Sequence, residues 1–165
     1  MRMRLDATCV ACFALLTLGL AAGPAAALDC SSPTIVGTSG NDFIYAPSSA
    51  DVIIGNGGDD QIYGNNGNDQ ICGGSGIDRL YGGYGDDDIG GFGNADLVEG
   101  EPGNDILAGH DGNDSVYGGS ENDQLFGGLG DDYMYGETGT DLVNGREGTD
   151  HCTSGETYLS CEFIS

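Results

Sequence analysis

From Gly37 to Thr153 the chain divides into thirteen consecutive nine-residue lines with no insertion or deletion between them. Position 6 is Asp in every line: Asp42, Asp51, Asp60, Asp69, Asp78, Asp87, Asp96, Asp105, Asp114, Asp123, Asp132, Asp141 and Asp150. The other positions of the array hold only five Asp, at 59, 86, 88, 111 and 131, so the alignment is not a by-product of an acidic composition. Position 8 is apolar throughout, from Ile44 and Ile53 to Val143 and Cys152. Position 1 is Gly in every line but the second, where Ala46 stands, and position 4 is Gly in ten of the thirteen. A disordered Gly- and acid-rich tract has no use for an apolar side chain at a fixed phase.

A period of nine with one apolar residue per line restricts the fold severely. Glycines at positions 1 and 4 suit a tight turn needing positive φ or close backbone approach. Positions 7 to 9 then form a very short strand whose middle residue points inward and whose flanks point outward. One inward residue per line makes a thin core, so successive strands must lie on opposite sides of it. Two lines complete one turn, and the expected fold is all-β: a right-handed parallel β-roll, a β-solenoid with two short-stranded parallel sheets.

Charge decides what such a coil needs. Acids outnumber bases 27 to 4 in the 165 residues, a balance that excludes nucleic acid as a partner. Residues 1–27 have the pattern of a secretory signal peptide, with Arg2 and Arg4 ahead of a mostly apolar stretch from Cys9 to Ala22, then Ala25-Ala26-Ala27 before Leu28. That stretch is too short to span a bilayer comfortably, and no other segment is apolar enough to be a membrane span. Cleavage would leave Arg79 and Arg146 against 26 acids, a net charge of −24 with no lysine.

In the coil, lines n and n+2 stack about 4.8 Å apart, which places their Asp carboxylates in closely spaced rows. At an effective dielectric of about 20, each adjacent pair repels by roughly 3 kcal/mol. A cation between the loops reverses the sign. The available ligands are carboxylates and the carbonyls of Gly-rich turns, a hard oxygen set that suits Ca²⁺ better than Mg²⁺, which keeps its water, or Zn²⁺, which seeks nitrogen or sulfur. All thirteen position-6 Asp are therefore candidate calcium ligands.

The lines GNGGDDQIY (55–63) and GGSGIDRLY (73–81) resemble the haemolysin-type calcium-binding repeats of RTX proteins, G-G-x-G-x-D-x-U-x. The resemblance implies six-residue loops that bind Ca²⁺ between successive turns of a parallel β-roll, through the position-6 Asp and loop carbonyls. With one ion between loops n and n+2, the seven odd loops give six sites and the six even loops five. Eleven Ca²⁺ then bring +22 against −24. Several lines depart from the pattern and are expected to hold weaker or empty sites: APSSADVII (46–54) lacks both loop glycines, Asn94 and Glu121 replace Gly at position 4, and Pro102 removes an N–H inside a loop. RTX proteins usually leave the cell through an uncleaved C-terminal signal, so their toxin and protease associations do not transfer.

Four cysteines follow the signal segment, in an exported and oxidising setting. Of the three possible connectivities, the expected one pairs Cys30 with Cys72 and Cys152 with Cys161, stapling both ends of the roll. Tyr45, Tyr63, Tyr81, Tyr117 and Tyr135 all end odd lines, so they fall on one sheet's outer face as an aromatic ladder or as a platform for a glycan or extracellular protein. His110 and His151, expected in a loop and on an outward strand position, form no catalytic constellation, and few residues lie outside the array to build a pocket. The expected organisation is a signal peptide (1–27), an N-terminal cap (28–36), a thirteen-repeat roll (37–153) and a C-terminal cap (154–165). The expected function is non-enzymatic: a secreted calcium-binding protein, structural or matrix in role, with calcium-dependent adhesion as the alternative and a piece of a larger toxin or enzyme as a third reading. Ice binding would want regular Thr or Asn rows, whereas position 3 runs Ser39, Ser48, Gly57, Asn66, Ser75, Tyr84.

Overall fold

The computed structural model describes residue 30, residues 32–153 and residues 157–161; the segment 1–27 expected to be a signal peptide lies outside them. In chain order the strands are β1 (Ile35–Val36), β2 (Phe43–Tyr45), β3 (Val52–Gly57), β4 (Gln61–Asn66), β5 (Gln70–Ser75), β6 (Arg79–Tyr84), β7 (Asp88–Gly93), β8 (Leu97–Pro102), β9 (Ile106–Asp111), β10 (Ser115–Ser120), β11 (Gln124–Leu129), β12 (Tyr133–Thr138), β13 (Leu142–Glu147), β14 (His151–Thr153) and β15 (Thr157–Leu159). Odd-numbered strands form one eight-stranded sheet and even-numbered strands a seven-stranded one, each in sequential order and parallel wherever strands pair. Partners within the array lie 18 residues apart, as in Ile62↔Leu80. Two lines make one turn of a parallel β-roll.

The strands are longer than positions 7 to 9. From β3 to β13 each covers six residues and runs through position 3 of the next line. The reason lies in the alternation along β4: Gln61 and Tyr63 are half-buried, while Ile62 and Gly64 are buried. Position 1 thus faces inward as position 8 does, and glycine there leaves a place in the interior for something other than its own side chain. β2 stops after three residues.

Position 8 forms a single continuous core from Ile44 to Cys152. Twelve of its members, including Ile62, Leu80, Val98, Val116 and Met134, are at most 1% exposed. β15 extends the eight-stranded sheet one step past the array by pairing with β13. Cys152–Cys161 closes that end, with Tyr158 and Cys161 packed against the core. At the other end Cys30–Cys72 ties the N-terminal segment to β5, where Cys30, Ile54 and Cys72 pack with Phe92. Both expected disulfides are present.

The tyrosines at position 9 fall on β2, β4, β6, β10 and β12, all in the seven-stranded sheet. Tyr63 stacks on Tyr81 at 4.7 Å and Tyr117 on Tyr135 at 5.1 Å between ring centroids. Glu99 of β8 interrupts the ladder between the two pairs. His110, expected in a loop, belongs to β9 and stacks on Phe92 at 4.7 Å.

Candidate metal centre

Because successive lines alternate between sheets, the position-6 residues separate into two rows, one along each edge of the roll. One row holds Asp42, Asp60, Asp78, Asp96, Asp114, Asp132 and Asp150; the other holds Asp51, Asp69, Asp87, Asp105, Asp123 and Asp141. Within each row the backbone N–H of one Asp donates to Oδ1 of the Asp one turn on. Six such bonds occur in the first row, from Asp42→Asp60 to Asp132→Asp150, and five in the second, from Asp51→Asp69 to Asp123→Asp141. Their lengths run from 2.7 to 3.1 Å. A charge-assisted bond from N–H to carboxylate is among the stronger hydrogen bonds a protein makes.

The second carboxylate oxygen is treated differently. Oδ2 of Asp60, Asp69, Asp78, Asp87, Asp96, Asp105, Asp114, Asp123, Asp132 and Asp141 is buried without a hydrogen-bond partner. It lies in the place left by the position-1 glycine of its own line. At Gly64 a Cβ would come within 2.5 Å of Asp69 Oδ2 and 2.6 Å of the Gly82 carbonyl oxygen. Buried polar atoms are rarely left unpaired, and a repeated orphan calls for a ligand.

Loop carbonyls also face from turn to turn. In lines 3 to 13 every position-2 residue has positive φ, glycine or not: Asn56, Asn65, Gly74, Gly83, Phe92, Glu101, His110, Gly119, Gly128, Glu137 and Arg146. Most position-4 residues do too, including Asn94 and Glu121 at φ 80°. Left-handed backbone at both positions directs their carbonyls towards the following turn. The Asn65 oxygen lies where a Cβ on Gly83 would go, and the Gly67 oxygen where one on Gly85 would go. The glycine expectation thus divides: position 1 needs space, position 4 needs φ, and the left-handed position 2 is an addition that sequence reasoning missed. Where Pro102 has no N–H to give, pairing of β6 with β8 ends at Tyr81↔Glu99.

A second row of polar bonds was also missed. At exposed position 5, Asn and Asp side chains accept from the position-5 N–H one turn on, as in Asn41→Asp59, Asp86→Asn104 and Asn113→Asp131, each named acceptor first. The signal was available, since Asn or Asp occupies position 5 at 41, 59, 68, 86, 104, 113, 122 and 131.

Burial makes Asp60, Asp69, Asp78, Asp87, Asp96, Asp105, Asp114, Asp123 and Asp132 hard to ionise without a cation. Desolvation, partly offset by the N–H each accepts and reinforced by neighbouring carboxylates, pushes Asp78 and Asp123 up to about 6 and Asp87 and Asp132 to about 7. In the middle of the rows Asp96 and Asp105 reach about 8. Asp60 and Asp69 are also raised, by the same desolvation. Among the described residues no three His, Cys, Asp or Glu side chains converge on one point, so a bound ion would draw on carboxylates completed by carbonyls. That donor set, all oxygen and supplied from two stacked turns, fits Ca²⁺. Bound there, Ca²⁺ would supply charge neutralisation and cross-linking of turns.

No helix among the described residues is long and apolar enough to cross a membrane. No curated protein matches the chain. The family model for the RTX calcium-binding nonapeptide repeat, in four copies, matches at residues 34–62, 48–80, 63–94, 90–125 and 117–152. With its buried Asp rows and two parallel sheets, this chain belongs to the RTX calcium-binding nonapeptide repeat family.

Proposed function

We propose that this chain is a secreted structural or matrix module whose roll folds as Ca²⁺ fills the gaps between stacked loops, and that it carries out no catalysis. The observation behind this reading is the repeated orphan Oδ2, buried beside carbonyls that face the same gap. Up to eleven gaps lie between position-6 Asp, six in one row and five in the other, and carboxylates of these two rows are the proposed ligands. Secretion is supported by the basic, apolar and small-residue order of residues 1–27 and by two disulfides. Extracellular calcium modules bind at about 10⁻⁴–10⁻³ M. Such an affinity keeps the chain unfolded in a low-calcium cytoplasm and folds it outside, with metal binding contributing directly to folding free energy. Far-UV circular dichroism during a calcium titration tests this: a β spectrum is expected to grow with added calcium, and the same spectrum in EDTA would refute the coupling.

A second reading, calcium-dependent adhesion to a glycan or extracellular protein, is favoured by the aromatic face of the seven-stranded sheet. Phe43 and Tyr45, each 68% exposed, lie within 5.6 and 5.7 Å of Tyr63, extending the Tyr63–Tyr81 stack to the end of the sheet. Glycan-array binding in calcium that persists unchanged after Tyr63→Ser and Tyr81→Ser would remove this reading.

A further inference from the structure

The first two loops are built unlike the other eleven. In line 1 the backbone N–H and Oγ1 of Thr38 both donate to Asp42 Oδ2, at 2.6 and 2.9 Å. In line 2 Ser49 Oγ donates to Asp51 Oδ2 at 3.1 Å, and Thr34 Oγ1 donates to Asp51 Oδ1 at 3.0 Å. The equivalent Oδ2 atoms stand orphaned from Asp60 to Asp141.

The backbone agrees. Positive φ at position 2, present in every line from 3 to 13, is absent at Thr38 and Pro47; at position 4 it is absent at Gly40 and Ser49, and at Gly103 of line 8. The causes are in the residues. A proline ring holds φ near −65° and cannot enter the left-handed region, and a β-branched threonine enters it only at high cost. Carbonyl orientation changes with the backbone: above Gly58 the closest atoms are the Gly40 carbonyl carbon and the Asn41 nitrogen, whereas above Gly76 the closest is the Gly58 carbonyl oxygen. Loop 1 therefore does not present its position-4 carbonyl to the next turn as later loops do. Both its carboxylate and its carbonyl are withdrawn.

We infer that the hydroxyls of Thr34, Thr38 and Ser49 stand in for the cation at the N-terminal end, so that Asp42 and Asp51 are metal-free caps and the calcium rows begin at Asp60 and Asp69. This rests on the proposed calcium-binding function and changes its stoichiometry. The gaps Asp42/Asp60 and Asp51/Asp69 drop out, which takes eleven ions to nine. It gives the weaker or empty site expected of line 2 a hydroxyl-terminated form, and extends that form to line 1, whose GTSGND motif retains both loop glycines.

The test is native mass spectrometry of the full mature chain in saturating calcium, with calcium midpoints from circular dichroism alongside. Nine ions are expected for the wild type, and Asp51→Asn is expected to keep nine with a midpoint within twofold of wild type. Asp87→Asn is the comparison, expected to lose at least one ion and to raise the midpoint several-fold. Should Asp87→Asn fail to fold, the wild-type count and Asp51→Asn decide alone. Eleven ions in the wild type, or an ion lost in Asp51→Asn, overturns the cap while leaving calcium binding intact. A chain that takes up no calcium overturns both this inference and the function on which it rests.

Discussion

The N–H of Asp87 donates to Oδ1 of Asp105, 2.8 Å away and 18 residues further on, while Oδ2 of the same Asp105 is buried without a partner. One carboxylate therefore has two tasks: one oxygen joins two turns of backbone, and the other faces the gap between loops.

Asp105→Asn separates these tasks. The amide oxygen still accepts the Asp87 N–H, but an NH₂ replaces the orphan oxygen and the buried charge is gone. The variant is expected to need several-fold more calcium to fold while its metal-free form is no less stable than wild type, because a carboxyl pushed up to about 8 by burial has been removed. Paired calcium and urea titrations followed by circular dichroism check both signs.

Metal-free and calcium-loaded protein are expected to respond oppositely to pH. Unfolded carboxylates titrate near 3.9, whereas Asp78, Asp87, Asp96, Asp105, Asp114, Asp123 and Asp132 of the folded rows are raised to about 6 to 8. The stabilisation of the metal-free coil from these groups is thus fully present below about pH 4 and is lost as pH rises through 6 to 8. Calcium binding needs the ionised form and weakens as pH falls through the same range. Small-angle scattering in EDTA should show a more compact chain at pH 4.5 than at pH 8, and in excess calcium the order should reverse.

Two glycines separate space from composition. Gly64→Ala puts a methyl against Asp69 Oδ2 and the Gly82 carbonyl, whereas Gly57→Ala meets nothing nearer than the Ser75 carbonyl oxygen at 3.7 Å. Gly64→Ala is expected to cost about 1–3 kcal/mol through overpacking and to raise the calcium midpoint, with Gly57→Ala close to wild type. Thermal melts in saturating calcium distinguish them.

The cross-link between Cys30 and Cys72 spans a sequence separation of 42. Closing a loop of that size constrains the unfolded chain by about 4 kcal/mol. Cys30→Ser combined with Cys72→Ser is expected to lower the stability of the calcium-loaded roll by about that amount, read from urea unfolding.

Much of the roll was legible because it follows from phase. Ile62 had to face inward if Gln61 and Tyr63 faced out, and Tyr63 had to lie beside Tyr81 once two lines made a turn. The loops were legible only where chemistry required a particular residue. Gly64 announces itself because nothing larger fits, but Phe92, His110 and Arg146 take left-handed backbone that their own preferences oppose; stacking of carbonyls between turns imposes it, and no single line contains that information. The same holds for the caps. Thr38 follows a glycine within a motif that matches the repeat, and only its bond to Asp42 shows that the loop closes on itself.

The constant 18-residue offset between paired strands has a consequence for how such a molecule can change length. Excising one whole turn, for instance residues 91–108, rejoins like with like, so the tyrosine face, both edge rows and both terminal staples persist in a shorter rod. Excising a single line transposes everything downstream to the opposite sheet, breaking the aromatic ladder and exchanging the two acidic edges. Growth and shrinkage by duplication are therefore quantised in even numbers of lines, and the thirteen present here mean that the first and last loops open on the same edge.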